Sequence, residues 1–302
     1  MGTEYTISAV MHKTTVISGV QDYTISPNQA RVLLSGDGAI NNTFTAIGRI
    51  EPQINFTTTA VKTALLGLGG ADGIPIDENL DIYMHKTSSA IEQAADTHIQ
   101  CRATTGLIIP QTLTIPIGGS GMPATLTYTA LLLSSNGVLA PVAFTGSSTL
   151  VATLQAGAAE AYVLGSVAIN DVAVDVIGDI TVNFGLQAQV SAGTLYPTNV
   201  SLTKYAPSIS IPTSQMDIPT GWGLGGVVQG ATDSVISLDD MVNGAVRGVA
   251  PFTMSVTEGG IDFTDITGND GTKVGTNITI IPTYDGTTSA IAFGGTLAAL
   301  ES

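Results

Sequence analysis

Tyr5-Thr-Ile-Ser-Ala-Val-Met-His-Lys-Thr-Thr-Val-Ile-Ser-Gly-Val-Gln-Asp-Tyr-Thr-Ile25 aligns without a gap to Tyr162-Val-Leu-Gly-Ser-Val-Ala-Ile-Asn-Asp-Val-Ala-Val-Asp-Val-Ile-Gly-Asp-Ile-Thr-Val182, at an offset of 157. Tyr5/Tyr162, Val10/Val167, Asp22/Asp179 and Thr24/Thr181 are identical, and most other apolar positions stay apolar. Further anchors follow in the same order. Gly38/Gly193, Thr43/Thr198, Pro52/Pro207, Ile54/Ile209 and Thr58/Thr213 lie at an offset of 155, with Arg49 facing Lys204. Leu68-Gly69-Gly70 matches Leu224-Gly225-Gly226 at 156, and Val142-Ala143-Phe144-Thr145-Gly146 matches Ile291-Ala292-Phe293-Gly294-Gly295 at 149. A shared order of anchors with small drifts is what a tandem duplication with short loop insertions leaves behind. The expected units are residues 1–155 and 156–302, joined through the small-residue segment Gln155-Ala-Gly-Ala-Ala159.

Within each unit the pattern has a period of two. Thr112–Ile115, Thr125–Tyr128, Val172–Val176, Ser208–Ile211 and Asn277–Ile280 alternate polar and apolar residues, which puts one face on a core. Asn136-Gly137, Asp285-Gly286 and Gly118-Gly119 supply the backbone freedom that hairpin turns require. Helix signals are few. Ser88-Ser89 with Glu92 resembles a capping box opening a helix to about Ile99, Ser237 with Asp240 predicts one over about Leu238–Ala245, and Thr57–Leu66 predicts a third ended by Gly67. The expected fold class is therefore mostly β (α+β): two tandem β-sandwich or barrel-like units, each with one flanking short helix.

Composition excludes several classes. The 302 residues hold 24 Asp+Glu against nine Lys+Arg, a formal net charge of −15, so recognition of nucleic acid through a basic face is excluded. Residues 152–302 carry 14 of the acids and three of the bases. Charged residues make up only 11%, so little of the surface resists association and much of it is expected to be covered by neighbours. No run approaches the roughly 18 apolar residues of a membrane helix, and 44% apolar content is enough to build a core. Met1–Val10 lacks the basic start and apolar middle of a signal peptide, and Gly2 with Thr6 matches the myristoylation pattern only formally. Cys101 stands alone in an alternating stretch and reads as a buried structural thiol.

The chemical inventory is nearly empty. Gly67-Leu-Gly-Gly70 and Gly221-Trp-Gly-Leu-Gly-Gly226 lack the strand, spacing and helix of a dinucleotide loop. His12 and His85 share the tetrapeptide Met-His-Lys-Thr, but with His98 they fit no zinc spacing. No nucleophile elbow accompanies them. Asp77/Glu78 and Asp239/Asp240 read as solvated turns or helix starts, and Asn269-Asp270-Gly271 as a turn rather than a calcium loop. The expectation is no catalytic, metal or cofactor-binding residue, no cofactor and no enzyme activity.

Arg49-Ile-Glu-Pro-Gln-Ile-Asn-Phe-Thr-Thr58 and Lys204-Tyr-Ala-Pro-Ser-Ile-Ser-Ile-Pro-Thr213 resemble the wall strand of the tail tube proteins of long-tailed bacteriophages. The resemblance covers the whole chain through architecture and composition, without an invariant motif. It implies a virion protein with two fused tube domains, made in the host cytoplasm and located in the tail. Three copies would close a pseudo-hexameric ring, and the rings would stack into a tube. The implied partners are further copies, the tape measure, tail terminator and baseplate proteins, and DNA passing through the lumen without specific binding or membrane insertion. The extra surface domain that many members append is not apparent. A tandem β-sandwich adhesin or carbohydrate-binding module, with Trp222 and the tyrosines as stacking platforms, and a capsid decoration protein are the alternative readings. In a tube, Arg49 and Lys204 are expected to face away from the DNA or pair with carboxylates of neighbouring units.

Overall fold

Alternating Thr and β-branched residues favour extended chain, because one row of side chains can enter a core while the other stays hydrated. The computed structural model describes residues 5–34, 44–86, 98–118, 121–148, 160–215, 229–230, 234–242, 246–247, 252–267, 275–284 and 289–294, and within them the chain is mostly β. The N-terminal half comprises β1 (Tyr5–His12), β2 (Thr15–Ile17), β3 (Val20–Ser26), β4 (Gln29–Leu34), β5 (Phe44–Ile50), β6 (Gln53–Thr58), α1 (Val61–Gly67), β7 (Ile74–Ile76), β8 (Leu80–Lys86), β9 (His98–Ala103), β10 (Gly106–Ile115), β11 (Thr125–Leu132) and β12 (Val142–Ser148). The C-terminal half comprises β13 (Tyr162–Ile169), β14 (Val172–Ala173), β15 (Ile180–Asn183), β16 (Leu186–Ser191), β17 (Asn199–Tyr205), β18 (Ser208–Thr213), β19 (Gln229–Gly230), β20 (Ser234–Val242), β21 (Val246–Arg247), β22 (Phe252–Val256), β23 (Gly259–Thr267), β24 (Gly275–Pro282) and β25 (Ala292–Gly294).

The two halves pair their strands in the same way. A five-stranded sheet β12-β9-β8-β1-β2 has its counterpart in β25-β22-β20-β13-β14. The hairpin β4–β5 has its counterpart in β16–β17, and β10-β11-β6-β3 its counterpart in β23-β24-β18-β15. Even the irregularities coincide. The β1/β8 ladder shifts register between Ile7 and Ala9, and the β13/β20 ladder shifts between Leu164 and Ser166, at an offset of 157 in both cases. Phe144 pairs with Cys101 as Phe293 pairs with Met254.

Inward residues of the smaller sheets, among them Val10, Ile82, Val167 and Ile236, meet those of the large sheet in one continuous core. Phe56 and Tyr128, opposite each other on β6 and β11, stack with ring centroids 5.3 Å apart. That arrangement is sandwich-like, with one sheet packed over the other.

Two helix expectations change. Residues Ser234–Val242 form strand β20 rather than a helix from Leu238. Ile236 and Leu238 alternate into the core there, and β20 is hydrogen-bonded on both sides by β13 and β22. Those long-range ladders outweigh a local Ser-x-x-Asp capping signal. Thr57 and Thr58 belong to β6, and the helix begins only at Val61, buries Val61, Ala64 and Leu65, and ends at Gly67. The helix expected from Ser88 falls on residues outside those described up to 97, and His98 and Ile99 already belong to β9. The C-terminal counterpart of α1 also lies outside the described residues. The strand expected over Val172–Val176 shortens to Val172–Ala173. There the Asp175 N–H donates to Gln215 Oε1 and the Asp175 carbonyl accepts from Thr213 Oγ1, beside a single backbone bridge between Val176 and Thr213.

Candidate functional site

The large sheet runs through both halves as ten strands, because β10 of the first half pairs antiparallel with β15 of the second. Thr112–Ile115 lie opposite Asn183–Ile180 in that ladder. Leu113, Ile115, Ile180 and Val182 are all fully buried at this joint. Burying four such side chains in the common core contributes about 6–12 kcal/mol in gross transfer energy, at about 1.5–3 kcal/mol each. The joint is reinforced above the ladder by the hairpin β16–β17, whose Leu186 packs on Leu107, Ile109 and Leu131 of the first half. The Glu160 carboxylate accepts from the Thr63 N–H at 3.1 Å and from Thr63 Oγ1 at 2.6 Å. It thereby caps the first turn of α1, which has no side-chain cap of its own.

The middle of the outward face of this sheet is made of hydroxyl and amide groups, while toward one end Leu107, Ile109 and Leu131 lie beneath the hairpin and Ile281 is exposed. Thr57 and Thr127 share a hydrogen bond of 3.2 Å, Thr129 Oγ1 donates to Asn55 Oδ1 at 2.7 Å, and Asn277 Nδ2 donates to Ser210 Oγ at 2.7 Å. Thr112, Thr114, Thr181, Ser208 and Thr279 continue the same row of partly exposed polar positions across the joint. The strands of the sheet contain Asp22, Asp262 and Asp265 and no Lys, Arg or His. Among the described residues the cations sit on other elements. Lys13, in the β1–β2 turn, pairs with Asp77 at 2.8 Å. Arg102 on β9 makes a two-pronged pair with Asp81, with bonds of 2.7 and 2.8 Å. Arg49 borders the covered end of the face, where Glu51 of its own half holds it and it also donates to the Val190 carbonyl of the second half. The carboxylate partner of Arg49 is thus intramolecular, whereas Lys204 is exposed on β17.

The residues with chemical potential are dispersed. His12 is buried opposite Leu80 at one end of the β1/β8 ladder, while His85 and His98 pair across β8 and β9 with centroids 5.0 Å apart. Burial, helped by Lys13, pushes the His12 imidazole below its ordinary value. Cys101 is fully buried, and burial raises its thiol to about 12. Asp77/Glu78 precede β8, and Asp239/Asp240 lie on strand β20 rather than at a helix start. Gly69 and Gly70 follow α1 at positive φ, and a Cβ on Gly69 would collide with the Gly73 carbonyl. A tight turn therefore explains that loop. Trp222, the second Gly-rich loop and Asn269–Gly271 lie outside the described residues. Among the described residues no group of three or more His, Cys, Asp or Glu could hold a metal ion, and no helix is long and apolar enough to cross a membrane.

The cation-free face was legible in principle. Strands such as Thr125–Leu132 already show a Thr-only polar row, but only pairing shows that these rows adjoin. No family model matches the chain, and no curated protein matches it.

Proposed function

We propose that the chain is the ring-forming subunit of a bacteriophage tail tube. In this reading it is a non-enzymatic virion protein with two equivalent units, 1–155 and 156–302, and three copies close a pseudo-sixfold ring. Stacked rings would conduct DNA toward the host, in contact with tape measure, tail terminator and baseplate proteins.

The observation that carries this reading is the outward face of the ten-stranded sheet, where hydroxyls and amides adjoin across both halves and the strands bear aspartates but no cation. A passing duplex presents a dense array of phosphates, and each Lys or Arg that neutralises one adds a salt-dependent binding term. A wall with hydroxyls and a few carboxylates offers no such term, so DNA slides without adhering. The net charge of −15 per chain acts in the same direction.

The way the halves join supports assembly rather than independent binding modules. Tandem adhesin or carbohydrate-binding domains are connected by linkers with few contacts. Here the halves share a ladder and one core. The test is electron microscopy of the concentrated chain together with duplex-DNA binding by the particles. Rings or tubes that do not retain DNA at low salt fit the proposal. Monodisperse single chains, or particles that bind DNA tightly, overturn it.

A further inference from the structure

We propose that the open edge of β3 and the uncovered end of β23 are two sides of one interface, through which copies of this chain join head to tail. The template is the joint inside the chain, so the proposal deepens the ring-forming reading and rests on it.

Equivalence between the halves, read from the ladders, gives the pairing. β3 corresponds to β15, with Tyr23–Ser26 at the positions of Ile180–Asn183. β23 corresponds to β10, with Thr267 at the position of Thr114, so that Ile266 precedes it as Leu113 precedes Thr114. Inside the chain β10 and β15 pair, whereas among the described residues β3 has a strand partner, β6, on one side only, and β23 meets β19 only through Gly260 and Ile261. Pairing Thr24–Ser26 of one copy with Asp265–Thr267 of the next repeats the internal ladder.

Exposure follows the same logic. Leu113 is 0% exposed at the internal joint, and its counterpart Ile266 is 46% exposed. Leu131, beneath the hairpin β16–β17, is 7% exposed, and its counterpart Ile281 is 45% exposed. Gly260, Ile261, Asp262, Ile281 and Thr283 line a shallow depression of apolar character where the hairpin of a second copy would lie. The equivalent hairpin, β4–β5, pairs among the described residues only with itself. On the opposite side of the chain, the Phe293 ring lies 3.6 Å from where a Cβ on Gly70 of the first half would stand, and close to Phe184 and Phe252. Its counterpart Phe144 is 62% exposed. Apolar groups that are covered at the internal joint are therefore bare at both ends of the chain. An open sheet edge beside bare apolar groups templates pairing with another chain. The two ends carry different surfaces, so the contact is heterologous and closes into a ring or continues as a filament.

The test uses two full-length variants, Thr24→Cys and Thr267→Cys, purified separately and oxidised alone or mixed. A third variant, Thr114→Cys/Thr181→Cys, carries the equivalent pair within one chain and calibrates the geometry, since facing ladder residues lie within disulfide reach. The native thiol Cys101 is buried and stays out of the exchange. The proposal predicts covalent dimers in the mixture and not in either variant alone. Ile266→Asp is predicted to keep the thermal midpoint of the single chain and to lose assembly by sedimentation. Rings or tubes without cross-linking in the mixture, or with cross-linking in one variant alone, overturn this interface and leave the ring reading standing. Single chains at every concentration, with the control disulfide closed, overturn both. Unchanged assembly of Ile266→Asp also overturns the interface.

Discussion

Thr127→Lys places one cation at the middle of the hydroxyl face, on β11 between Thr57 and Thr112. The wild-type strands of the sheet contain no Lys, Arg or His, so the substitution creates a term that was absent. If three chains close a ring, each ring gains three lysines. Counterion release gives a slope of about −0.9 per phosphate contact, hence about −2.7 per ring in log binding against log salt. Raising salt from about 50 to 200 mM then weakens DNA retention about 40-fold for a single ring, and more steeply for stacked rings. The lost Thr57–Thr127 hydrogen bond costs about 0.5–1.5 kcal/mol, which the large core tolerates. Fluorescent duplex DNA titrated onto assembled particles at several salt concentrations reads the slope, with Thr127→Gln as the neutral control. Wild type and Thr127→Gln should show no retention, and Thr127→Lys a steep salt dependence. A steep slope already present in the wild type, or none in an assembled Thr127→Lys particle, would refute the reasoning.

Tyr128 is fully buried and its hydroxyl finds no hydrogen-bond partner, while the equivalent position in the second half is Ile278. Tyr128→Phe should therefore stabilise the chain by about 1–3 kcal/mol, read as a higher denaturant midpoint; a comparable loss would show that the hydroxyl is satisfied. Burial depresses the His12 imidazole, so the unfolded chain binds the proton more readily than the folded one. That contribution to stability is complete above about pH 6.5 and is lost as the pH falls below it. His12→Ile, which copies the equivalent buried Ile169, should flatten the decline between about pH 6.5 and 5, and equal declines in the two proteins would contradict this. Arg102→Ala leaves Asp81 buried without its two-pronged partner and should cost about 1–3 kcal/mol, less in an Asp81→Asn background; an additive double mutant would show no coupling.

Much of the fold could be read from short-range pattern. The Tyr5/Tyr162 anchor falls on the first residues of β1 and β13, and Phe144/Phe293 fall at equivalent ladder positions, because strand starts and inward residues leave a direct mark on sequence. The Ser237 helix failed because a cap is a local preference, and β20 lies between two partners whose distance along the chain no window captures. The joint was illegible for the same reason: Leu113 and Val182 are 69 residues apart, and nothing near either announces the other. Arg49 and Lys204 share a register, yet Glu51 has no acidic counterpart at Ala206, so equal positions do not carry equal partners. The cation-free face lay between these extremes, since each strand shows its polar row but only the assembled sheet turns ten rows into a wall.

Electron microscopy of the purified chain at high concentration tests the central claim most directly. The account predicts rings with threefold symmetry and a sixfold outline, stacked into tubes whose bore is lined by the Thr57, Thr127 and Thr279 face and bears no net positive charge. Single chains as the only species, or a tube whose inner wall is net positive, would contradict it.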